Sequence, residues 1–339
     1  MDPLKAVIIG GFGHAGRVLD EISGMPEAAI VGQSPAYAGE DISAFTGHPA
    51  CREAEYFDEH TTMLKEVKPD VAIVSTRLDR IPEVSIAAAE AGCHLICEKP
   101  MALDHPMLDR LYQAVTTNGV RAVSMLSMRS EPHFRAARRV YRSGAIGEAV
   151  QVNGRKSYKW GTRPQWFGDR SLYGGTIGWV GIHALDFVSF ITGLEFTSVA
   201  ATQGNFCHPE RPDCQDFCGL VLSTSNGGCA TVSVDYLRPA NAATHGDDWV
   251  RVVGTKGVLE ASGSRAECTV LTDGPQPIPV PLPDEAMLYR DFLSSLRDGH
   301  ESELTQPDAF MLTSTCLYAR DAAERSEVVG ITRRRRDWS

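Results

Sequence analysis

The sequence predicts an α/β protein with a doubly wound parallel sheet at its N-terminus and an α+β domain with a large open, mainly antiparallel sheet after it. The chain has 339 residues, which is long for one core. Apolar strands alternate with helical patterns up to about residue 125, as in parallel βαβ units. Strands separated by turns dominate beyond that point. We therefore expect two domains, at 1–125 and 126–339.

The predicted elements of the first domain follow one another in a regular order. Short runs rich in β-branched residues predict strands at 4–9, 28–31, 70–75, 94–97 and 121–125. Apolar residues on one helical face, Val18, Leu19 and Ile22, predict a helix after the first strand. Further helices are predicted at 82–91 and 106–117.

The second domain is predicted to contain a helix at 132–142 and then a series of strands. These strands are expected at 150–156, 198–203, 217–223, 229–236, 248–253, 257–260 and 268–271. Turns such as Asn226-Gly227-Gly228 separate several of them and favour hairpins. An apolar helix at 183–191 interrupts the series. Helices at 286–296 and 307–325 close the chain and are able to pack back toward the first domain.

The charge balance argues against nucleic acid and anionic membranes as partners. The formal net charge is −10, and both kinds of partner demand clustered Lys and Arg. The basic run 333–336 is interpreted as a solvated tail. The weakly charged stretch 171–196 contains His183, Asp186 and several glycines, which makes it a poor transmembrane candidate.

The cysteine pattern favours a cytoplasmic protein with reduced thiols. The nine cysteines are odd in number and follow no scaffold spacing, and no export signal is visible. Cys207, His208, Cys214 and Cys218 lie near one another, but their spacing fits no usual zinc site. No metal is predicted.

A glycine-rich segment, residues 10–16, follows the first strand and is called the glycine loop below. The pattern Gly-x-Gly-x-x-Gly falls on Gly11, Gly13 and Gly16. We expect Gly11 to permit the tight turn, Gly13 to allow backbone N–H groups to approach a pyrophosphate, and Gly16 to let the helix pack on the strand. This context predicts a Rossmann domain that binds NAD or NADP. The predicted contacts include the intervening residues Phe12, His14 and Ala15.

The second strand lacks the acid that normally binds the adenosine ribose. It ends at Gln33 and Ser34, which are predicted cofactor contacts, and the next arginine is Arg52. The sequence therefore leaves NAD and NADP both open. The absence of a nearby cation favours NAD.

Several motifs occur together along the chain. They are Glu98-Lys99-Pro100 after the fourth strand, the glycine loop, and the segments 70–76, 144–148 and 254–257. Together they resemble the Gfo/Idh/MocA family, the group of glucose–fructose oxidoreductase and inositol dehydrogenase. The resemblance covers nearly the whole chain. It implies an NAD(P)-dependent oxidoreductase that acts on a secondary hydroxyl of a sugar, inositol or related polyol, or on the matching ketone. Lys99 is the implied catalytic lysine, and Thr76, Arg77 and Glu98 are implied cofactor contacts.

A second family motif matches residues 173–186 with one departure. His183 and Asp186 are present, but Trp179 stands where the family has an aspartate. An imidazole, with an ordinary pKa near ~6.5, suits proton transfer. Asp186 either orients His183 or supports local structure. Trp179 either forms a stacking wall for a sugar ring or marks a lost or changed redox step.

An aromatic and cationic segment supplies further candidates for substrate binding. Lys156, Tyr158 and Trp160 alternate along a strand and share a face. With Trp166 and Tyr236 they either line the substrate site or form an ordinary surface.

Two alternatives to a simple dehydrogenase remain open at this stage. One is a non-catalytic dinucleotide-binding regulator, and the other is an enzyme with transient redox in a net non-redox reaction. We also expect a homodimer or homotetramer formed through the open sheet of the second domain, because that face would otherwise expose apolar area.

Overall fold

The computed structural model describes residues 2–333 and 335–338. Its contacts divide the chain into two compact units. The first unit comprises the chain up to Met125, Met287–Thr313 and the segment from Arg335, and the second comprises the remainder. Arg334, within the predicted basic tail, lies outside the described residues.

The first unit holds a six-stranded sheet and its helices. Up to Met125, its elements are β1 (Leu4–Ile9), α1 (Ala15–Ile22), β2 (Ala28–Ser34), α2 (Ser43–Thr46), β3 (Glu55–Tyr56), α3 (His60–Val67), β4 (Val71–Val74), α4 (Ile81–Glu90), β5 (His94–Cys97), α5 (His105–Thr117) and β6 (Ala122–Ser124).

The remaining elements belong mainly to the second unit. They are α6 (Pro132–Arg142), β7 (Ala149–Lys159), α7 (Arg170–Tyr173), α8 (Ile182–Thr192), β8 (Phe196–Gly204), β9 (Phe217–Thr224), β10 (Cys229–Arg238), β11 (Trp249–Gly254), β12 (Val258–Ser262), β13 (Glu267–Leu271), β14 (Ile278–Pro279), α9 (Leu288–Asp298), α10 (Gln306–Arg325) and β15 (Val329–Gly330). Helix α9 lies in the first unit, where α10 also begins.

The first sheet confirms the predicted doubly wound fold. Its strand order is β3-β2-β1-β4-β5-β6, and all five pairs are parallel. Strand β4 is buried along its whole length, as expected when helices cover both faces of a parallel sheet. The strand order reverses between β1 and β4. In such sheets, ligands bind at the carboxyl ends of the strands beside this switch point.

The region between β2 and β4 contains elements that the sequence pattern did not predict. They are α2, β3 and α3. Helix α3 buries only Met63 and Leu64, so its apolar signal is weak. Strand β3 has two residues and pairs with β2 at Gly32 and Gln33. Such short elements depend on the neighbouring sheet and helices rather than on their own sequence.

Helix α9 is attached to α1 through a buried carboxylate. Glu21 accepts hydrogen bonds from the backbone N–H groups of Tyr289 (2.7 Å) and Arg290 (3.1 Å). These are first-turn N–H groups of α9, which have no partner within the helix. Burial raises the pKa of Glu21 despite these bonds.

The second sheet confirms the predicted large, mainly antiparallel architecture. Its order is β14-β13-β12-β11-β7-β10-β9-β8-β15. Strands β7 and β10 pair in parallel, whereas every other pairing recorded among the described strands is antiparallel. Helix α8 packs on β7 so closely that a Cβ at Gly154 would lie 3.3 Å from Phe187 and Val188.

The opposite face of the second sheet is open and concave, and the space within its concavity has a volume of about 600 Å³. Asn153, Thr231 and Trp249 line it, together with Val221, which is 58% exposed. The predicted uncovered face is therefore present in the second unit. Its polar and apolar residues alternate with the core residues of the other face, as the period of a strand requires.

One helical stretch, Arg170–Thr192, is long and apolar enough to cross a membrane. Its most apolar window is 83% buried within the protein, and a core helix passes the same test of length and composition. It is the stretch that the sequence indicated to be a poor transmembrane candidate. It contains α7, a π-helical segment and α8.

Candidate active site

The glycine loop requires glycine at several positions for different reasons. Gly10 and Gly13 have φ values of +102° and +116°, which L side chains rarely adopt. A Cβ at Gly13 would lie 2.1 Å from Oε2 of Glu98, and one at Gly11 would lie 2.0 Å from the carbonyl oxygen of Asp41. The loop therefore depends on close approach of other segments to its backbone.

Gly16 does not have the role that the motif predicts. Nothing lies within 4 Å of a Cβ built at this position. The expectation that Gly16 lets α1 pack closely against a strand is therefore wrong. The open space beside the first turn of α1 leaves room for a ligand instead.

Glu98 connects the glycine loop with the segment that follows β5. Its carboxylate is fully buried and accepts hydrogen bonds from the backbone N–H of His14 (2.5 Å) and from that of Lys99 (2.9 Å). The His14 ring nitrogen Nδ1 lies 2.9 Å from the same carboxylate. Burial opposes ionisation, but the His14 ring and then Lys99 outweigh it, so the pKa of Glu98 is lowered.

Lys99 is the second residue after β5, and β5 is the neighbour of β4 on the far side of the switch point. The residue is 1% exposed, an unusual environment for a lysine. A lysine at the carboxyl end of a Rossmann strand is positioned where such sheets hold ligands.

The predicted contacts at the end of β2 form hydrogen bonds within the protein. Gln33 donates from Nε2 to the carbonyl of Ala54 (3.1 Å), and Ser34 donates from Oγ to the carbonyl of Pro35 (3.0 Å). Both residues are buried.

The predicted contacts after β4 have acidic partners. Thr76 donates its hydroxyl to a glutamate that sequence reasoning missed, Glu40, at 2.5 Å. Arg77 forms two hydrogen bonds to Asp79, at 2.6 and 2.9 Å, and its guanidinium lies 4.7 Å from the centre of the Tyr37 ring.

The first unit fits a dinucleotide at the glycine loop. No side chain caps the N-terminus of α1, and its first turn carries no acidic residue. The loop follows β1 at the switch point of a parallel sheet, beside the open space at Gly16. An uncapped helix N-terminus with this approach attracts phosphate groups. The backbone of Gly13, Ala15 and Gly16, without the His14 N–H that donates to Glu98, is therefore the candidate cradle for a pyrophosphate.

In the second unit, Trp179 and His183 lie on consecutive helical segments. Trp179 belongs to a π-helical turn, Ile177–Gly181, and His183 lies in the first turn of α8. Single π-helical turns are frequent at functional sites. Both residues are buried, with exposed fractions of 6% and 2%. The Trp179 ring contacts the edge of Phe167, with 6.1 Å between ring centres.

Asp186 has an arginine partner. Nε and Nη2 of Arg129 lie 2.8 and 2.6 Å from Oδ1 of Asp186, and both residues are buried. Sequence reasoning did not single out Arg129. The pair supports the interpretation that Asp186 stabilises local structure, because a buried carboxylate requires a cation or hydrogen-bond donors.

Lys156 lies at the centre of a group of residues that we call the lysine cluster, consisting of His133, Lys156, Tyr158, Asp248 and Met128, whose Sδ lies 3.0 Å from Nζ of Lys156. Lys156 is fully buried, and its Nζ lies 2.5 Å from Oδ2 of Asp248 and 4.7 Å from the centre of the Tyr158 ring. Burial opposes its charge, but Tyr158 and Asp248 outweigh this effect and raise its pKa. Burial, followed by the charge of Lys156, lowers the pKa of His133 to about 4.

Four predicted substrate contacts meet in a second group, the aromatic cluster. Trp160 contacts the edge of Tyr236, and the Tyr236 hydroxyl lies 3.3 Å from that of Tyr173. Tyr173 stacks on Phe167, which contacts both Trp166 and Trp179. The cluster therefore consists of Trp160, Trp166, Phe167, Tyr173, Trp179 and Tyr236. Arg163 lies over the Tyr236 ring, 4.3 Å from its centre.

The loosely spaced cysteines do not form a metal cluster in the described part of the chain. No group of three or more potential ligands gathers there. Burial raises the pKa of Cys214 to about 11, so its thiol is protonated at neutral pH.

The partners of the predicted residues carry only weak sequence signals. Lys156 itself is predicted, and its need for a partner can be recognised, because Val152 and Gly154 on the same face of β7 are core residues. A core-facing lysine demands an acidic partner. The identity of that partner, Asp248, 92 residues further along the chain, was not available from any local pattern.

The fold and the glycine loop define a dinucleotide-binding oxidoreductase, and comparison with known proteins agrees. Residues 4–126 match the model of an oxidoreductase family with an NAD-binding Rossmann fold, and residues 134–260 match the Gfo/Idh/MocA C-terminal domain. The structure of an oxidoreductase from Thermotoga maritima is 32% identical, with a TM-score of 0.90, and covers 96% of this chain and 100% of its own.

Two curated relatives carry named activities. Inositol 2-dehydrogenase of Rhizobium meliloti is 26% identical over 93% of this chain and 94% of its own length. Levoglucosan dehydrogenase of Pseudarthrobacter phenanthrenivorans is 32% identical over 47% of this chain, and the match spans 42% of that relative. The chain belongs to the Gfo/Idh/MocA family, and its N-terminal domain is an NAD-binding Rossmann domain. The predictions of the family and of an oxidoreductase are confirmed.

Proposed function

We propose that the protein is an NAD(P)-dependent dehydrogenase acting on a secondary hydroxyl of a sugar, inositol or related polyol, or on the matching ketone. The observation that carries the proposal is the position of Lys99. It follows β5, and Glu98 binds both its backbone N–H and the backbone of the glycine loop at His14. The cation and the nucleotide cradle are therefore neighbours within one unit.

Two side chains carry the proposed chemistry. Lys99 stabilises negative charge that develops on the reacting oxygen. His183 accepts the hydroxyl proton during oxidation and returns it during reduction. NAD(P) bound at the glycine loop supplies the acceptor for the hydride of the substrate's C–H bond. Asp186, held by Arg129, supports the helix that carries His183.

The proposed substrate side is formed by Lys156, Tyr158 and the aromatic cluster. Aromatic faces and hydrogen-bonding hydroxyls suit the alternating apolar and polar surfaces of a sugar ring. The named relatives support this class of substrate, since they are dehydrogenases of inositol and of levoglucosan. Trp179 contributes an indole where the family motif has an acid.

The proposal is tested by following nicotinamide absorbance with NAD or NADP and a panel of inositols, sugars and anhydrosugars. Lys99→Ala is expected to lower kcat at least about a hundredfold, as removal of one group that stabilises an oxyanion does. Lys65→Ala, at an exposed lysine of α3, is the matched control and should retain full activity. Equal turnover by Lys99→Ala and wild type would remove Lys99 from the mechanism.

Trp179 motivates a second candidate, a regulator that binds the dinucleotide without turnover. An indole transfers no proton, so the residue replaces a chemical group of the family motif with an apolar surface. Trp179→Asp separates the candidates. Gain of activity from an inert parent supports the regulator, whereas loss of activity from an active parent supports a substrate-binding indole. An exchange of solvent hydrogen into substrate without net oxidation would indicate transient redox in a net non-redox reaction.

We further propose a cytoplasmic homodimer or homotetramer, with no nucleic acid or membrane partner. The open face of the second sheet carries Val221, which is 58% exposed, and Trp249. A second copy would bury this apolar area. In sedimentation, wild type should behave as an oligomer. Val221→Glu places a charge on the proposed interface and should give a smaller species. Wild type that remains monomeric at micromolar concentration would contradict the assembly.

A further inference from the structure

Glu40, in the segment after β2, lies where three strands of the first sheet end. Its Oε1 accepts hydrogen bonds from the Thr76 hydroxyl (2.5 Å) and the Gly11 N–H (3.3 Å), and its Oε2 accepts one from the Ala36 N–H (2.7 Å). These donors follow β4, β1 and β2, respectively. The carboxylate therefore lies at the switch point, where Rossmann sheets bind nucleotides.

The backbone next to Glu40 packs directly on the glycine loop. A Cβ at Gly11 would lie 2.0 Å from the carbonyl oxygen of Asp41 and 2.7 Å from Cα of Ile42. Any side chain at position 11 would displace this segment. Gly11 thus allows the loop after β2 to close over β1 and hold the carboxylate in place.

We propose that Glu40 receives a hydroxyl of the adenosine ribose of the dinucleotide, in place of the acid that is missing at the end of β2, and thereby selects NAD over NADP. The inference rests on the proposed function, because it concerns the same cofactor. An ionised carboxylate has about four acceptor positions, of which the protein occupies three. The remaining position is available to a ribose hydroxyl.

The same carboxylate opposes a 2′-phosphate. Two anions without a cation between them repel each other, and the nearby cations Arg77 and Arg80 are both already paired with Asp79. Arg77 is bound to Asp79 by two hydrogen bonds and stacks on Tyr37. A 2′-phosphate would have to compete with Asp79 for Arg77 while facing Glu40.

The residues that the motif places at this position do not replace Glu40. Gln33 and Ser34 are buried, and their side chains donate to the carbonyls of Ala54 and Pro35. Glu40 lies six residues after Ser34, outside the spacing of the usual fingerprint. The acid at this site of the chain therefore lies in the loop after β2 and not at the strand end.

The experiment is a titration of the full-length protein with NADH and NADPH, followed by nicotinamide fluorescence. Wild type should bind NADH at least about tenfold more tightly than NADPH, and Glu40→Gln should weaken NADH binding about tenfold, as loss of a charged hydrogen bond does. NADPH affinity should stay constant or rise. Glu66→Gln, at an exposed position of α3, is the control. Displacement of bound NADH by ADP-ribose and by its 2′-phosphate measures the affinity of the adenosine half of the cofactor alone.

The outcomes separate this inference from the proposed function. Equal affinity of wild type for NADH and NADPH, or an unchanged ratio in Glu40→Gln, overturns the role of Glu40 and leaves the dehydrogenase proposal intact. Failure of both nucleotides to bind wild type overturns both. The ratio of NADH to NADPH affinity is measured on wild type, so it tests the proposal even if Glu40→Gln does not fold. Thermal unfolding of unliganded Glu40→Gln shows whether the variant folds.

Discussion

The glycine loop and the lysine cluster show two ways of building a polar site. The loop presents backbone atoms of seven consecutive residues, 10–16, next to an uncapped helix end. The lysine cluster joins side chains from β7, α6 and the segment before β11 around one buried ammonium. A backbone site requires particular conformations and is visible as a motif. A side-chain site requires partners that only folding brings together.

The two sites also respond differently to substitution. At Gly10, Gly11 and Gly13 of the loop, an added side chain causes strain or a close contact, because other segments pack directly on the backbone there. In the cluster, removal of one partner leaves another charge without compensation. Substitutions at matched positions in each region measure this difference.

The largest effect on stability is expected from Asp248→Asn. It leaves the fully buried Lys156 ammonium without its anion, which costs about 3–5 kcal/mol in comparable pairs. Urea unfolding measures the change. Lys156→Met/Asp248→Asn should recover most of the loss, since no charge remains to be compensated. The control is Glu260→Gln, whose exposed pair with Arg251 is worth less than about 1 kcal/mol. Equal effects at Asp248 and Glu260 would show that burial of the pair is unimportant.

A pH-dependent effect is expected at His133 in the same cluster. Its pKa is lowered to about 4, so the unfolded chain binds a proton that the folded protein does not between that pH and about 6.5. The contribution of the neutral His133 to the free energy of unfolding is therefore complete above about pH 6.5. It is lost as the pH falls from there towards 4, and the loss is at most about 3 kcal/mol. His133→Gln should flatten this part of the profile measured by urea unfolding. Parallel profiles of wild type and variant would contradict the burial argument.

In the glycine loop, Gly13→Ala should cost about 1–3 kcal/mol through the positive φ alone. Its Cβ would also displace the Glu98 carboxylate from His14, so NADH affinity should fall with stability. Thermal unfolding and fluorescence titration measure the two effects. A variant with unchanged stability would show that the loop tolerates a side chain at this position.

The smallest effect has the opposite sign and is expected at Gly16. The position is in the first turn of α1 with nothing within 4 Å of a Cβ, so Gly16→Ala should raise the free energy of unfolding by about 0.5–1 kcal/mol. Urea unfolding of the unliganded protein provides the measurement. Destabilisation would restore the packing role that the motif assigns to this glycine.

The pattern of apolar residues predicted both sheets and most of the long helices. It did not indicate α2, β3 and α3, because their two to eight residues carry little periodicity. The π-helical turn at Trp179 was also not predicted, since no local signal marks a widened turn. Regular elements follow from their own sequence when they are long and amphipathic, whereas short ones depend on their surroundings.

The sequence by itself determined the family, the parallel and antiparallel sheets, and the positions of Lys99, His183 and the glycine loop. These features depend on consecutive residues whose backbone conformation and periodicity can be read directly. Tertiary structure alone decided that Asp248 pairs with Lys156 and that Arg129 holds Asp186. It also decided that the carboxylate of Glu40, from the loop after β2, lies at the switch point. The physical reason is that a buried charge takes its partner from whichever segment folding places beside it, and no local pattern encodes that choice.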